Sequence, residues 1–213
     1  GIRRFGSGRR QVAVGVIGLT LRETGTLVTP SGVAGLSFDE EAASINALVP
    51  RLRAEGADAI VVVIHQGLAT TGRYDDPTCP GVSGDLLPIL ARLDPAVDVV
   101  VSGHTHNAYL CEIRRPDGQP MLVASAQRNG QVLTAIDLMI DPAAGRVVSR
   151  RASQTIVQGE GYTGRNGTVA LSEAHPRFPP DPAVAALVRR YADASATTMR
   201  RVVGRFSGPA PEQ

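Results

Sequence analysis

The hydrophobic pattern changes period several times along the chain. Gln11 to Gly18 is a short apolar run bounded by Arg and Gly, the pattern of a buried strand. Gly25 to Gly35, with Thr29-Pro30-Ser31-Gly32 inside it, reads as a loop, and Ser37-x-x-Glu40 then has the form of a capping box opening a helix. Ile45, Leu48, Val49 and Leu52 fall at i, i+3, i+4 and i+7 and give that helix one apolar face, with Gly56 placed to end it. Ala59 to Ile64 is a continuous, largely β-branched run of the kind buried on both faces of a parallel sheet, and it ends directly in His65. Ser83 is placed to cap a second helix carrying Leu86, Leu87, Leu90 and Leu93. Val97 to Val101 is the next strand, running into Ser102-Gly103-His104-Thr105-His106.

Strand, helix, strand, helix, strand is an α/β order whose crossovers set successive strands parallel, and in such sheets function collects at the carboxyl ends of strands. Met121 to Ala126, Val132 to Ile140 and Val147 to Val157 read instead as antiparallel strands joined by turns. From Gln158 to Pro180 the composition shifts to Gly, Thr, Asn and Pro, as in a linker. Asp181 then suits an N-cap with Pro182 at the first helical position, and Val184, Leu187, Val188 and Tyr191 make a helical stripe. Val202 and Val203 have the form of a strand start.

Composition narrows the classes. Of 213 residues 43% are hydrophobic, ordinary for a globular protein, and no apolar run approaches the roughly 20 residues of a membrane span. Gly1 is not an initiator Met and the opening residues hold no apolar signal core, which points to sequence upstream. The 22 basic residues are all Arg, the net charge is +2, and the Arg pairs are scattered rather than gathered with aromatics, so solvated charge is favoured over a nucleic-acid surface. Cys79 and Cys111 either form one bridge or are unrelated thiols. A bridge would close a loop of about 30 residues, contribute on the order of 3 kcal/mol and require an oxidising compartment.

Three of the four histidines follow the two best strand candidates at once. Adjacent strands lie roughly 4.8 Å apart, so His65 and the His104/His106 pair can converge on ions at one sheet edge, and imidazole is a common ligand for Zn, Mn, Fe and Co. In an extended segment residues two apart point the same way, with Gly103 supplying the tight turn, so His104 and His106 are expected to address neighbouring positions. His175 stands in Pro-rich sequence and is given no ligand role. Asp75 and Asp76, before Pro77 in a Gly/Cys-bounded loop, read as turn chemistry.

Gly103-His104-Thr105-His106 after an apolar strand, with Ile64-His65-Gln66-Gly67 after the preceding one, resembles the calcineurin-like metallophosphoesterases, and more closely the bifunctional metallophosphatase/5'-nucleotidase (UDP-sugar hydrolase) group. The resemblance runs through Gly18-Leu19-Thr20, Ser31 to Gly35 and Tyr74 to Gly81, and covers roughly residues 11–157. It implies part of a four-layer α/β/β/α sandwich with mixed sheets: 1–157 as the carboxyl-terminal half of the phosphoesterase domain, 158–180 as linker, 181–201 as an interdomain helix and 202–213 as the stub of a nucleotide-binding domain. It also implies two divalent cations (Zn, Mn, Co, Fe or Mg) that share a bridging carboxylate and activate a water to attack phosphorus. By position His65 and His104 would bind one cation and His106 the other.

The family's amino-terminal half supplies an Asp-x-His pair, the bridging Asp and an Asn-His segment with a catalytic histidine, and this sequence contains none of these. The expectation is therefore a phosphoester hydrolase of 5'-nucleotidase or nucleotide-sugar hydrolase type. No catalytic residue lies within this chain, and the remaining ligands come from an amino-terminal half in the same or another chain. The alternatives are a noncatalytic metal-binding or interaction module derived from that fold and, ranked last, a single-zinc centre of three histidines. The resemblance implies a periplasmic or extracellular location, which a Cys79–Cys111 bridge would suit.

Overall fold

The computed structural model describes residues 1–164, 167–205 and 208, which divide into two units, 1–176 and 177–213. The first is built on a mixed sheet of six strands: β1 (Ile2–Phe5), β2 (Val12–Leu19), β3 (Ala59–Ile64), β4 (Val99–Ser102), β5 (Ala108–Arg114) and β6 (Pro120–Ala126), in the order β1-β2-β3-β4-β6-β5. The four central strands are parallel. Val62 pairs with Ile17 on one side and Val100 on the other, so the β-branched runs stack at the middle of the sheet. Strands β1 and β5 are antiparallel edges.

One face of the sheet carries helices. Residues 60, 62 and 64 alternate onto that face and meet Ile45, Val49 and Leu52 of α2 (Glu41–Ala54) and Leu86, Ile89 and Leu90 of α3 (Leu86–Leu90), all nearly inaccessible to water. Each such aliphatic side chain contributes roughly 1.5–3 kcal/mol on burial. Leu48, expected on the buried stripe, is 42% exposed, because Ala42, Ile45, Val49 and Leu52 define the narrower line that reaches the sheet. Gly56, at φ +90, ends α2 where an L side chain would be strained.

The helix caps differ from expectation. Glu40, not Ser37, is the N-cap of α2, its carboxylate accepting from the Ala42 and Ala43 N–H groups at 3.2 and 2.8 Å. A longer acidic side chain does the work of a Ser hydroxyl and also reaches Arg92 at 2.6 Å. Ser83 caps nothing: its backbone pairs with Ala69, and α3 is a single short turn after Asp85. The loop expected over 25–35 begins inside a short helix, α1 (Thr24–Leu27), followed by a 3-10 turn at Pro30–Gly32.

The opposite face of the sheet meets a two-stranded antiparallel ribbon, β7 (Val132–Asp141) and β8 (Arg146–Ile156). Gln154 Nε2 of β8 donates to the carbonyls of Tyr109 and Ser125, and Arg150 reaches the buried Asp98 carboxylate at 2.6 Å. Asp98 also accepts from the Ile60 N–H and lies 3.8 Å from Arg53 of α2, so one carboxylate links both layers to the sheet. At the other end of this face Val16 and Val63 are 38% and 43% exposed. The resulting layers are helix, sheet and sheet, a mixed α/β fold.

Four strands, β1, β5, β9 (Tyr162–Gly164) and β10 (Gly167–Val169), were not expected. β5 intervenes between the histidine segment and β6, so Met121 to Ala126 pairs parallel with β4 as well as antiparallel with β5. Within 158–180, expected as linker, β9 and β10 form a small antiparallel pair. In the second unit, α4 (Pro182–Met199) is capped by Asp181 and exposes Val184, Leu187, Val188 and Tyr191. Val202 and Val203 are irregular and exposed, and most of the rest of the 202–213 segment lies outside the described residues.

Cys79 and Cys111 are joined, with Cα atoms 5.5 Å apart across 32 positions. The bridge holds the 70–82 loop over the free edge of β5, where the Glu112 N–H also donates to the Pro77 carbonyl at 3.0 Å. A free edge is thereby covered, the usual protection against pairing with another chain. Replacing both cysteines by Ala should lower stability by about 3–4 kcal/mol. In calorimetry this would appear as a Tm drop on the order of 10 °C, with the wild type falling equally under reductant.

Hydrogen bonding from Ala43 N–H, then from Ala42 N–H and Arg92, holds the Glu40 carboxyl below its ordinary value of 4.5 against the opposing effect of burial. The cap's stability is therefore present above that value and lost as pH falls through the lowered one. Glu40→Ala should cost about 1 kcal/mol at pH 7 in urea unfolding, and the difference from wild type should vanish in acid.

Candidate functional site

His65 is the first residue beyond β3, its N–H still donating to the Leu19 carbonyl at 3.2 Å, so the ladder carries it to the carboxyl edge of the sheet. His104 stands two residues beyond β4 on the neighbouring strand. The two rings meet edge to face with centroids 5.1 Å apart, and His104 Nδ1 lies 3.3 Å from His65 Nε2.

The backbone at the paired histidines is not extended. His104 and His106 both have left-handed φ, 67 and 57, and the Thr105 N–H donates to the Gly103 carbonyl at 2.8 Å across His104. That closes a three-residue turn with a positive φ at its centre, the strained γ-turn form. The expectation that Gly103 supplies the turn is corrected: Gly103 is not left-handed, and the strain falls on the histidines themselves. For a β-carbon residue such a conformation costs of order 1–3 kcal/mol and persists only where neighbours hold it.

Leu68 holds it. This residue is fully buried, and its backbone is satisfied by side chains from the histidine segment. Thr105 Oγ1 and Asn107 Nδ2 donate to its carbonyl at 2.8 and 3.1 Å, and its N–H donates to the Tyr109 hydroxyl at 2.9 Å. Ser102 Oγ gives its proton to the Ala124 carbonyl, so the Tyr109 hydroxyl donates to Ser102, 2.7 Å away. Burial holds the Tyr109 phenol above its ordinary value, with hydrogen bonds from its neighbours opposing, and the group stays neutral. Gly67 admits the approach: a Cβ there would run into the Gly103 carbonyl oxygen and Thr105 Oγ1.

The structure thus brings His65 and His104 together. Among the described residues no group of three His, Cys, Asp or Glu forms a metal-binding cluster, so His106, exposed on the same loop, does not join them and a three-histidine centre is not assembled. Two nitrogens bound to one tetrahedral zinc at about 2.0–2.1 Å are separated by about 3.3 Å, and the observed spacing matches this bite. The pair fits as part of a donor set that needs further ligands.

Asp75 pairs with Arg73 at 3.0 Å, and Asp76 accepts from the Thr78 N–H and hydroxyl in an Asx turn, as their sequence context suggests. His175 contributes its backbone carbonyl to the Gln158 amide. Sequence reasoning missed Tyr109, Thr105 and Asn107 as the residues that fasten the loops. The signal for Tyr109 was present, since Tyr109, Cys111 and Ile113 alternate with Glu112 and Arg114 as in a half-buried strand.

No family model matches the chain. In sequence it is 29% identical over 146 residues to the cell wall protein Lmo0130 of Listeria monocytogenes, covering 65% of this chain and 18% of that protein. It is 25% identical over 173 residues to the trifunctional nucleotide phosphoesterase protein YfkN of Bacillus subtilis, covering 75% and 11%. It is 22% identical over 193 residues to the endonuclease YhcR of B. subtilis, covering 91% and 14%. The chain therefore spans less than a fifth of these curated relatives. Among solved structures, a 5'-nucleotidase precursor from Thermus thermophilus superposes with a TM-score of 0.63 at 23% identity, over 90% of this chain and 34% of that one. The calcineurin-like phosphoesterase YfkN of B. subtilis gives 0.63 at 20%, over 90% and 54%.

Tyr109→Phe removes the hydroxyl that accepts from Leu68 and donates to Ser102. It should cost about 1–3 kcal/mol, because a buried N–H loses its partner. If the network positions the histidines, the divalent-metal affinity of the complete protein should also weaken by about tenfold in titration calorimetry. A stability loss with unchanged affinity would make the network merely structural.

Proposed function

We propose that this chain, which resembles the 5'-nucleotidase group of calcineurin-like phosphoesterases in sequence and carries their fold, is one half of a metal-dependent phosphoester hydrolase domain. The observation that supports this most directly is the 3.3 Å approach of His65 Nε2 and His104 Nδ1 at the carboxyl edge of two neighbouring parallel strands. In this reading His65 and His104 hold one divalent cation and His106 belongs to a second. Cations bound there would lower the pKa of a coordinated water and offset charge on the phosphoryl oxygens. The chain's own residues supply orientation: Leu68, Thr105, Asn107 and Tyr109 lock the two loops, and the left-handed backbone at His104 and His106 presents the rings from a short turn.

The bridging carboxylate and the remaining ligands then belong to an amino-terminal half in the same or another chain. The apolar surface left at Val16 and Val63 on the sheet face supports such a complement. Nucleotides or nucleotide sugars are the proposed substrates, and residues 181–201 the helix leading to a nucleotide-binding domain. A periplasmic or extracellular site of action agrees with the Cys79–Cys111 bridge, which persists in oxidising compartments. A second reading, a noncatalytic metal-binding or interaction module, is favoured by one observation: no third donor joins the His65–His104 pair among the described residues.

Metal stoichiometry separates the two. The complete protein should bind two divalent ions, measured by elemental analysis after gel filtration, and release phosphate from nucleoside monophosphates. His104→Ala should lose metal and reduce hydrolysis by roughly 100-fold or more, beyond what partners of ligands typically cost. His104→Gly should lose metal equally while melting no lower than wild type, since glycine relieves the left-handed backbone. Unchanged metal content and activity in both would remove His104 from the site.

A further inference from the structure

We infer that the groove between the free edge of β8 and the β5 side of the sheet is a docking site for an extended acidic segment of a partner protein, which adds to the β7–β8 ribbon as a third strand. The inference is independent of the hydrolase reading. The groove measures about 570 Å³. Five consecutive residues of β8, Val148 to Ala152, line it, whereas β5 and β6 contribute alternate residues, Leu110 with Glu112 and Pro120 with Leu122. Successive residues of a strand point to opposite faces. Alternate residues therefore mark a sheet face as the floor, and the consecutive run marks the backbone edge of β8 as the wall.

That edge differs from the others in this fold. Strand β1, at one end of the six-stranded sheet, is four residues long and carries Arg3 and Arg4, and β5, at the other end, is covered by the disulfide-tethered loop. Short, charged or covered edges are the common protections against pairing with another chain. Strand β8 is eleven residues long and pairs only with β7. Alternate residues of an antiparallel strand direct both N–H and C=O away from the partner, so β8 presents a row of such groups to the groove. Strand addition satisfies them and draws its affinity from main-chain hydrogen bonds. Strand β7 lies against β6 and β8 against β5, so this edge faces away from Val16 and Val63, where the amino-terminal complement is placed. The complement therefore leaves the groove open.

The side chains decide what kind of strand fits. Arg150 and Gln154 of β8 reach the sheet, so these even-numbered positions face the floor and Arg151 faces solvent. The floor is apolar at Leu110 and Leu122, and Val148, the extra residue at the register shift in the ladder, brings a 46% exposed side chain to one end. Inward residues of the added strand are therefore apolar. Glu112 and Asp75 on the opposite wall exclude acid from those positions. Strand β8 carries Arg146, Arg150 and Arg151 and no acidic residue, and β7 already answers it with Asp137 opposite Arg151 and Asp141 opposite Arg146. A strand on the other edge meets the same cations, so its outward residues are acidic. Charge also opposes a second copy as the occupant, since antiparallel pairing of two β8 strands centred at Arg150 or Arg151 sets arginine against arginine.

The test uses the complete protein and a short, capped fluorescent peptide in which valine alternates with aspartate and threonine, with binding read by anisotropy. It should bind, and the same peptide with lysine in place of aspartate should bind about fivefold more weakly. Arg151→Glu, a substitution at an exposed position, should reverse that preference while the protein melts as wild type. Two further peptides carry N-methyl groups, one on its valines and the other on the remaining residues. An added strand turns only one of these sets of N–H groups towards β8, so one methylated peptide should lose binding by roughly tenfold or more while the other retains it. Equal binding of the two shows attraction by charge alone and overturns strand addition. A preference of the wild type for the lysine peptide overturns the acidic occupant. If a second copy or another part of the complete protein fills the groove, the acidic peptide does not bind and the proposal fails.

Discussion

Everything at the carboxyl edge of the sheet depends on how the Leu68 backbone is satisfied. A buried backbone N–H and C=O must find partners, and no strand is available to this one. The partners are Tyr109, Thr105 and Asn107, all from the segment around the second histidine loop. One residue consequently joins two loops that follow different strands, and a nitrogen of each imidazole is brought within 3.3 Å of the other as a result. Gly67 is the steric condition for this, since the loops cross too closely for a side chain there.

The same fastening explains why strained backbone survives. Left-handed φ at His104, His106 and Gln127 would relax in an isolated peptide, but each is anchored within a few residues: to the buried Leu68 or Ala124, or to the half-buried Asn107. The six-stranded sheet behind them is rigid because its central strands are buried on the helix side by a continuous aliphatic cluster. Among the described residues three of the five left-handed non-glycine positions lie at this rim, the others being Cys79 and Asn129.

Asp98 plays the corresponding part inside the fold. It joins β3 through Ile60, α2 through Arg53 and the β7–β8 ribbon through Arg150, so that the ribbon that walls the groove is fixed to the sheet that carries the histidines. The disulfide-tethered loop does the same at the β5 edge, bringing Pro77 to the far side of the groove. Groove and histidine pair share a frame although they arise from separate stretches of chain.

The sequence alone determined the α/β class, the helix α2, the central strands and the placement of three histidines at strand ends. These follow from local periodicity: β-branched runs form buried strands whatever surrounds them, and a residue just after such a strand must lie at the sheet edge. The cap was misjudged because the capping-box pattern puts Ser37 at the N-cap and Glu40 inside the helix, whereas Glu40 itself caps through the Ala42 and Ala43 N–H groups and is also held by Arg92, fifty-two residues away. Strand β5 was missed because its short alternation is weak until Cys79 and β6 are seen against it. Tertiary structure alone decided that His104 and His106 adopt left-handed turns, that Tyr109 locks the loops, and that Pro77, Leu110 and Val148 line one groove. Each depends on contacts between residues far apart in the chain, and local spacing carries no record of them.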